Sequence, residues 1–221
     1  MAKPGGMTSH DVVDAVRRRF RYRKTGHAGT LDPSAEGILV LGLGRTATRR
    51  LDVYQRMEKE YRASLELGVS TDTQDADGAV TGRKDWRGVT EEALRDALAK
   101  LGGARSQVPP MHSALKRKGQ PLYRLARRGV TVERSPRPIT IYELELCGFA
   151  PPEARLRVRC SKGTYVRTLC AEIGDALGCG AHMTKLTRTR VGEFTLERAI
   201  PLEALMKMSR AEMEALLLPA E

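Results

Sequence analysis

Apolar and polar residues alternate along two well-separated stretches of this chain, and this pattern restricts the possible folds more than any other feature. Tyr61, Ala63, Leu65 and Leu67 alternate with charged or polar neighbours, and residues 154–160 repeat the pattern. A period of two is typical of a strand with one buried face. Strict βαβ alternation is missing, so the sequence predicts an α+β fold with a mixed, largely antiparallel, curved sheet flanked by helices.

Helices are predicted between the strand-like runs. Thr8 and Asp11 form a capping-box pattern ahead of an apolar stripe, Thr90 precedes a second periodic segment, and Ser209 with Glu212 introduces a last short helix. A further helix is predicted between Gly163 and Gly178. The stripe of the first helix is Val12, Val13, Val16 and Phe20; that of the second is Ala93, Leu94, Ala97, Leu98 and Leu101. Other strand-like runs cover 38–43, 139–146 and the sequence up to 194–196.

The chain is strongly basic. Lys and Arg number 38 against 27 Asp and Glu, a net charge of +11, which predicts a polyanionic partner, with nucleic acid foremost. No apolar run approaches the ~20 residues that span a bilayer, and no secretory signal opens the chain, so we expect a cytoplasmic protein without membrane contact. The four cysteines lack C-x-x-C spacing and the four histidines lack paired spacing, which predicts buried cysteines and no metal site.

Two basic segments stand out. Residues 107–129 begin without periodicity, carry six Lys or Arg and end as a short helix between Pro121 and Gly129, which predicts a mobile basic loop. Arg155, Arg157 and Arg159 share one face of the strand at 154–160 and predict a cationic surface there. By contrast, residues 71–78 form an acidic, turn-rich loop that lacks the spacing of a calcium loop.

The glycine-rich segment 26–44 presents one carboxylate, Asp32, between a turn and an apolar run. Asp32 is therefore the first candidate for chemistry, although an aspartate before a proline commonly only caps a turn or helix start. Gly42-Leu-Gly44-Arg45 lacks the Gly-Lys-Ser/Thr ending of a phosphate-binding loop, so nucleoside triphosphate binding is not expected.

Four motifs in order resemble the TruB family of transfer-RNA pseudouridine synthases. They are KPxGMTSxD from residue 3, GHAGTLDP from residue 26, KEYRASLELGxxTDTxDxDG from residue 59 and CSKGTYVRTLxxxIGxxLGCGAHMxxLxRxxVG from residue 160. The resemblance implies the pseudouridine synthase catalytic fold and isomerisation of uridine 55 in the T loop of transfer RNA, without a cofactor.

The resemblance also implies roles for single residues. Asp32 corresponds to the nucleophile, Arg167 to its ion-pair partner, and Tyr61 to the ring that stacks on the flipped uracil near C5, where it is a candidate base. Further substrate contacts are implied for His27, which inserts into the T loop, for Tyr165 and Leu186, which line the uracil pocket, and for Lys3 and residues 116–118, which contact phosphates.

Bacterial members of the family commonly continue into a C-terminal RNA-binding domain of PUA type, and residues 1–221 are expected to form one catalytic domain without it. Ser34 and Glu36 also depart from the residues usual in the family. We expect a monomer that acts on transfer RNA without a protein partner. Open alternatives are a guide-RNA-dependent synthase, a non-catalytic RNA-binding or RNA-folding protein, and an N-glycosidase that releases uracil; a pure binder would not need Asp32, Tyr61 and Arg167 together.

Overall fold

The computed structural model describes residues 1–117, 119–126 and 128–219. In these ranges the strands are β1 (Ala2–Lys3), β2 (Thr25–Ala28), β3 (Glu36–Ile38), β4 (Val40–Leu43), β5 (Lys59–Leu67), β6 (Val69–Thr71), β7 (Val80–Arg83), β8 (Gly103–Gln107), β9 (Lys116–Arg117), β10 (Gln120–Pro121), β11 (Arg137–Ala150), β12 (Glu153–Cys160), β13 (Ala181–Val191) and β14 (Phe194–Thr195). The α-helices are α1 (Ser9–Phe20), α2 (Gly44–Arg49), α3 (Leu51–Arg56), α4 (Glu91–Leu101), α5 (Leu122–Ala126), α6 (Val166–Ala176), α7 (Leu202–Lys207) and α8 (Arg210–Ala215).

The chain divides into two compact units, one formed by Met1–Tyr61 with Leu186–Glu221 and the other by Arg62–Lys185. In the first unit, α1 begins at the predicted capping box of Thr8 and Asp11, and the predicted stripe is buried. The core around α1 contains Val12, Val16, Phe20, Leu39, Leu202, Leu205 and Met213. The last helix, α8, has the predicted capping box of Ser209 and Glu212. Both helix starts therefore follow from local sequence.

The first unit divides the apolar run at 38–43 between two sheets, so the prediction of one continuous strand is wrong. β3 pairs with β1 and, in parallel, with β13, whereas β4 pairs with β2. Gly37 has a φ of +105°, and a Cβ there would lie 2.2 Å from the Arg188 carbonyl oxygen. Only glycine allows this approach of β3 to β13, and the chain changes sheets just after it.

The strands of the second unit, which include β5 from Arg62 and β13 up to Lys185, follow the order β13-β5-β12-β11-β8, and β11 is antiparallel to both of its neighbours. The predicted alternation of β12 is confirmed, because Ala154, Leu156, Val158 and Cys160 are buried. α4 packs against β11 and α6 through Leu94, Ala97 and Leu98. Ala93 is exposed, which corrects its predicted burial; its backbone N–H donates to the capping Thr90 hydroxyl.

The predicted cationic face of β12 is wrong for two of its three arginines. Arg157 bonds to Glu143 and Glu145 at 2.9 and 2.6 Å, and Arg159 bonds to Glu143 at 2.7 Å. The antiparallel register places the β11 carboxylates opposite the β12 arginines. Opposite charges on neighbouring strands therefore neutralise much of this face.

The predicted α+β class with a mixed, mostly antiparallel sheet and flanking helices is confirmed.

Three of the four cysteines, Cys160, Cys170 and Cys179, are buried as predicted, whereas Cys147 is exposed on β11. Burial raises the pKa of Cys170 to about 12. No helix in the described part of the chain is both long and apolar enough to span a bilayer. The expectation of one catalytic domain stays a prediction.

Candidate active site

Asp32 lies half-buried in the loop between β2 and β3 of the first unit. The buried hydroxyl of Ser9, at the start of α1, accepts from the Leu31 N–H at 2.9 Å and donates to the Leu31 carbonyl at 3.0 Å. The Asp32 carbonyl in turn accepts from the Ala35 N–H at 3.1 Å. The backbone on both sides of this carboxylate is therefore fixed by hydrogen bonds.

Lys3 lies beneath the same loop and is only 1% exposed. Its ammonium donates to the carbonyls of Pro4 and Pro33, at 2.7 and 3.1 Å. Burial lowers the pKa of Lys3, and the nearby charges of Glu36 and Asp32 partly oppose that shift. The buried ammonium thus binds backbone of the Asp32 loop, and the phosphate contact of Lys3 stays a prediction.

Arg188 is a third buried support of this loop, and sequence reasoning missed it. From β13 its guanidinium donates to the Ile38 carbonyl at 2.7 Å and to the Gly29 carbonyl at 3.0 Å. Gly29 precedes Asp32 and Ile38 follows it, so one side chain links both ends of the segment. The sequence indicated Arg188 only as an arginine within the family motif that begins at residue 160.

His27 lies half-buried on β2 in the first unit. Its Nδ1 is buried and has no hydrogen-bond partner among the described residues. Burial, and then the charge of Arg188, lowers the pKa of His27. The lowered pKa favours the neutral form of the imidazole. Tyr61 on β5 and Leu186 on β13 are both buried, each with 8% of its surface exposed. Their contacts with uracil stay predictions.

The second unit holds Tyr165 and Arg167 at the start of α6. Arg167 donates from Nη1 to Asp75 Oδ2 at 3.1 Å and from Nη2 to the His112 carbonyl. The Arg167 guanidinium carbon also lies 6.0 Å from the centre of the Tyr165 ring. The next residue, Thr168, donates to Gln74 Oε1 at 2.7 Å. The first turn of α6 is thus held by residues from two loops.

Asp75 belongs to the acidic loop, and its role as a partner of Arg167 was not predicted. Its Oδ1 accepts from the Thr73 hydroxyl at 2.5 Å and from the Asp77 N–H at 3.1 Å. The Thr71 hydroxyl donates to its carbonyl at 2.7 Å. Hydrogen bonds within the loop therefore hold Asp75 in addition to its contact with Arg167. The repeated aspartates of TDTxDxDG were the available signal, but they did not show which one faces an arginine.

The structure brings together some of the predicted site residues within each unit. Lys3 contacts the Asp32 loop in the first unit, which also holds His27, Tyr61 and Leu186, and Tyr165 adjoins Arg167 in the second. The implied ion pair between Arg167 and Asp32 stays a prediction.

The predicted basic loop contains more regular structure than expected. β9 and β10 form a small antiparallel pair, and α5 confirms the predicted short helix. Arg117 donates to the Glu133 carbonyl at 2.9 Å, and Arg134 donates to the Pro109 carbonyl at 3.1 Å. Lys118, one of the predicted phosphate contacts, lies outside the described residues. Loop mobility stays a prediction.

Comparison with family models assigns nearly the whole chain. A model described as "TruB family pseudouridylate synthase (N terminal domain)" matches residues 17–166, and one described as "tRNA pseudouridylate synthase B C-terminal domain" matches residues 167–221. A relative from Syntrophotalea carbinolica, named tRNA pseudouridine synthase B, is 50% identical over 98% of this chain and 70% of its own length. A relative of the same name from Geotalea uraniireducens is 52% identical over 91% of this chain and 64% of its own length.

Two solved structures resemble the whole fold. A chain of "Crystal Structure of a Cbf5-Nop10-Gar1 Complex" is 32% identical, with a TM-score of 0.72 over 93% of this chain. A chain of "Structure of H/ACA RNP bound to a substrate RNA containing 2'-deoxyuridine" is 27% identical, with a TM-score of 0.71 over 99% of this chain. This chain spans about half the length of those two, 52% and 55%.

Proposed function

The chain belongs to the TruB family of pseudouridine synthases, and we propose that it isomerises uridine 55 in the T loop of transfer RNA, with Asp32 as the nucleophile. Isomerisation of uridine to pseudouridine in transfer RNA is the activity that the family and its named relatives support. The position of the modified uridine, uridine 55, and the roles of the individual residues are our proposal.

The observation that carries this proposal is the construction of the Asp32 loop. Ser9, Lys3 and Arg188 are buried, and all bind backbone of this loop or of the segments next to it. A polar side chain is costly to bury, and three of them here hold backbone around one half-buried carboxylate. A turn-capping aspartate would not require such support. A nucleophile needs it, because small displacements of a reacting group reduce its rate.

The proposed chemistry needs one nucleophilic carboxylate, the replacement of the N1–C1′ bond by a C5–C1′ bond, and the removal of the C5 proton. Asp32 attacks the flipped nucleotide, either at C1′ or on the pyrimidine ring, and the bond between N1 and C1′ breaks. The uracil turns and rejoins C1′ through C5, a base takes the C5 proton, and N1, which has lost its bond to C1′, takes up one proton. Asp32 is released unchanged, so the product is an isomer of the substrate and no cofactor is consumed.

The other site residues would position the uracil and the carboxylate. Tyr61 stacks on the base and is the candidate acceptor of the C5 proton. Arg167 pairs with Asp32 when RNA is bound and keeps the carboxylate ionised. Tyr165 and Leu186 line the uracil pocket. His27, whose lowered pKa favours the neutral imidazole, fills the space in the T loop that the flipped base leaves.

We propose that the chain acts in the cytoplasm, as a monomer and without a guide RNA or obligatory partner. The titles of the two similar structures name complexes that contain other proteins or a ribonucleoprotein, so activity of this chain alone is a specific claim. It is tested by the same assay as the activity itself.

The deciding experiment is incubation of the purified chain alone with a T-arm hairpin, followed by chemical tagging of pseudouridine and nucleoside mass spectrometry. We expect one tagged pseudouridine per hairpin and none when the target uridine is replaced by cytidine. Binding without product would indicate an RNA-binding or RNA-folding protein. Free uracil would indicate an N-glycosidase, and activity only with added protein or guide RNA would contradict independent action.

A further inference from the structure

Gln107 holds the backbone of Tyr165 with both ends of its side-chain amide. Gln107 Oε1 accepts from the Tyr165 N–H at 2.9 Å, and Gln107 Nε2 donates to the Tyr165 carbonyl at 3.2 Å. Gln107 is the last residue of β8 and is only 2% exposed. A buried amide with both groups paired to one residue fixes that residue in position and orientation.

The contact with Gln107 lies at the N-terminus of α6, where the helix has no side-chain cap. Tyr165 is the N-cap of α6, but no side chain caps the helix from that position. Two residues further along, Arg167 is held by Asp75 and the His112 carbonyl, and Thr168 is held by Gln74. Gln107 therefore adds a side-chain constraint at the N-cap residue, whose carbonyl also accepts the Leu169 N–H at 3.1 Å.

We propose that Gln107 is a positioning residue of the active site, which aligns the Tyr165 ring and the start of α6 for the reaction. This inference rests on the proposed function, in which Tyr165 contacts the uracil and Arg167 serves Asp32. Gln107 does not touch the uracil; it acts through the Tyr165 backbone. Because Gln107 is both the last residue of β8 and the first residue of the basic segment 107–129, it also joins that segment to the helix that carries Arg167.

The amide cannot be exchanged for a carboxylate at this place. A glutamate would still accept from the Tyr165 N–H, but it would present a second acceptor to the Tyr165 carbonyl. It would also add negative charge beside Glu172, which hydrogen-bonds Gln107 and forms a 3.2 Å ion pair with Arg105. Methionine has similar length and flexibility and removes both hydrogen bonds.

The test compares Gln107→Met and Gln107→Glu with the wild-type chain on a T-arm hairpin. Single-turnover rates at saturating protein measure the chemical step, and filter binding measures the dissociation constant. We expect both variants to lower the rate about tenfold to a hundredfold, as for a misplaced reacting group, and to change the dissociation constant less than about threefold.

Two controls separate positioning from general damage. Thr90→Ala removes the N-cap of α4 in the same unit and lowers stability without touching Tyr165, so its rate should match wild type wherever circular dichroism shows it folded. Gln55→Met makes the same side-chain change at an exposed site on α3 and should also match wild type.

Rates of Gln107→Met within twofold of wild type, or no greater losses than for Thr90→Ala at equal folded fraction, would overturn the positioning role. Equal losses in rate and affinity would overturn it too, since they would assign Gln107 to RNA binding. If the wild-type chain itself formed no pseudouridine, the proposed function would fail and this inference with it; an active wild type with an equally active Gln107→Met would remove this inference alone.

Discussion

Arg167 and Asp75 form an ion pair that is buried on both sides. Arg167 Nη1 lies 3.1 Å from Asp75 Oδ2, and the two side chains are 6% and 8% exposed. A buried pair adds little net stability, but removal of one partner leaves the other charge without compensation. The acidic loop and the first turn of α6 therefore depend on each other.

The first prediction concerns this dependence. Asp75→Ala leaves the Arg167 guanidinium buried without its carboxylate, so we expect the free energy of unfolding to fall by about 3–5 kcal/mol. Arg95→Ala breaks the exposed pair with Glu91 on α4 and should cost only about 0.3–0.5 kcal/mol. Urea unfolding monitored by circular dichroism measures both values. A loss below about 1 kcal/mol for Asp75→Ala would show that the pair is not structurally important.

The second prediction concerns Asp32. Asp32→Asn preserves the shape of the side chain and removes the nucleophilic charge, so product formation should stop while the affinity for a T-arm hairpin stays within about threefold of wild type. The assay is the mass-spectrometric measurement of tagged pseudouridine, paired with filter binding. Asp52→Asn, on the exposed surface of α3, should keep full activity. Substantial turnover by Asp32→Asn would remove Asp32 from the reaction.

The third prediction separates two tasks of Tyr61. Tyr61→Phe keeps the ring and removes the hydroxyl; if the phenol is the base, the glycosidic bond should still open but tritium should not leave C5 of a labelled uridine. Tyr61→Leu should in addition weaken binding, because stacking on a base contributes about 1–3 kcal/mol. Tyr142→Phe on the exposed face of β11 is the matched control. Tritium release by Tyr61→Phe at the wild-type rate would leave Tyr61 with stacking alone.

Much of the fold could be predicted because it depends on local pattern. The Thr8 capping box, the burial of alternate residues on β12 and the Thr90 cap each depend on neighbours within a few positions. The contacts that support the candidate site, in contrast, join residues that are far apart in the chain. Asp75 lies 92 residues from Arg167 in the chain, and Arg188 lies 150 residues from Ile38.

The sequence indicates that such side chains are charged, but not which partner the fold brings to them. The burial of Lys3 could not be predicted for the same reason. A lysine near the start of the chain is expected at the surface, and Lys3 is buried only because the Asp32 loop packs over it. Arg157 is neutralised for a related reason, because strand register decides which carboxylates it faces.

The fourth prediction concerns pH. The folded pKa of His27 lies below the ordinary value of about 6.5, so the unfolded chain takes up a proton first as the pH falls. Stability should therefore be unaffected by His27 above about pH 7 and should decrease as the pH drops below 6.5. His27→Gln should reduce the difference between urea midpoints at pH 7.5 and pH 5.5. An unchanged difference would show that other groups cause the acid sensitivity.

The fifth prediction concerns which cations contact RNA. Affinity for a T-arm hairpin should fall steeply with salt, because each neutralised phosphate adds about 0.7–0.9 to the log-log slope. Lys24 lines a surface cavity with Arg23 and Arg45, and within the described part of the chain it forms no ion pair with an acidic side chain. Arg157, in contrast, already binds Glu143 and Glu145.

Lys24→Ala should therefore lower the slope by about 0.7–0.9, one phosphate contact, whereas Arg157→Ala should leave it unchanged. Binding titrations at four or more salt concentrations give both slopes under the same conditions, and Asp32→Asn protein can be used throughout so that no turnover changes the RNA. A loss of slope with Arg157→Ala but not with Lys24→Ala would mean that RNA displaces the β11 carboxylates from Arg157, and that the neutralised face of β12 is the one that binds phosphate.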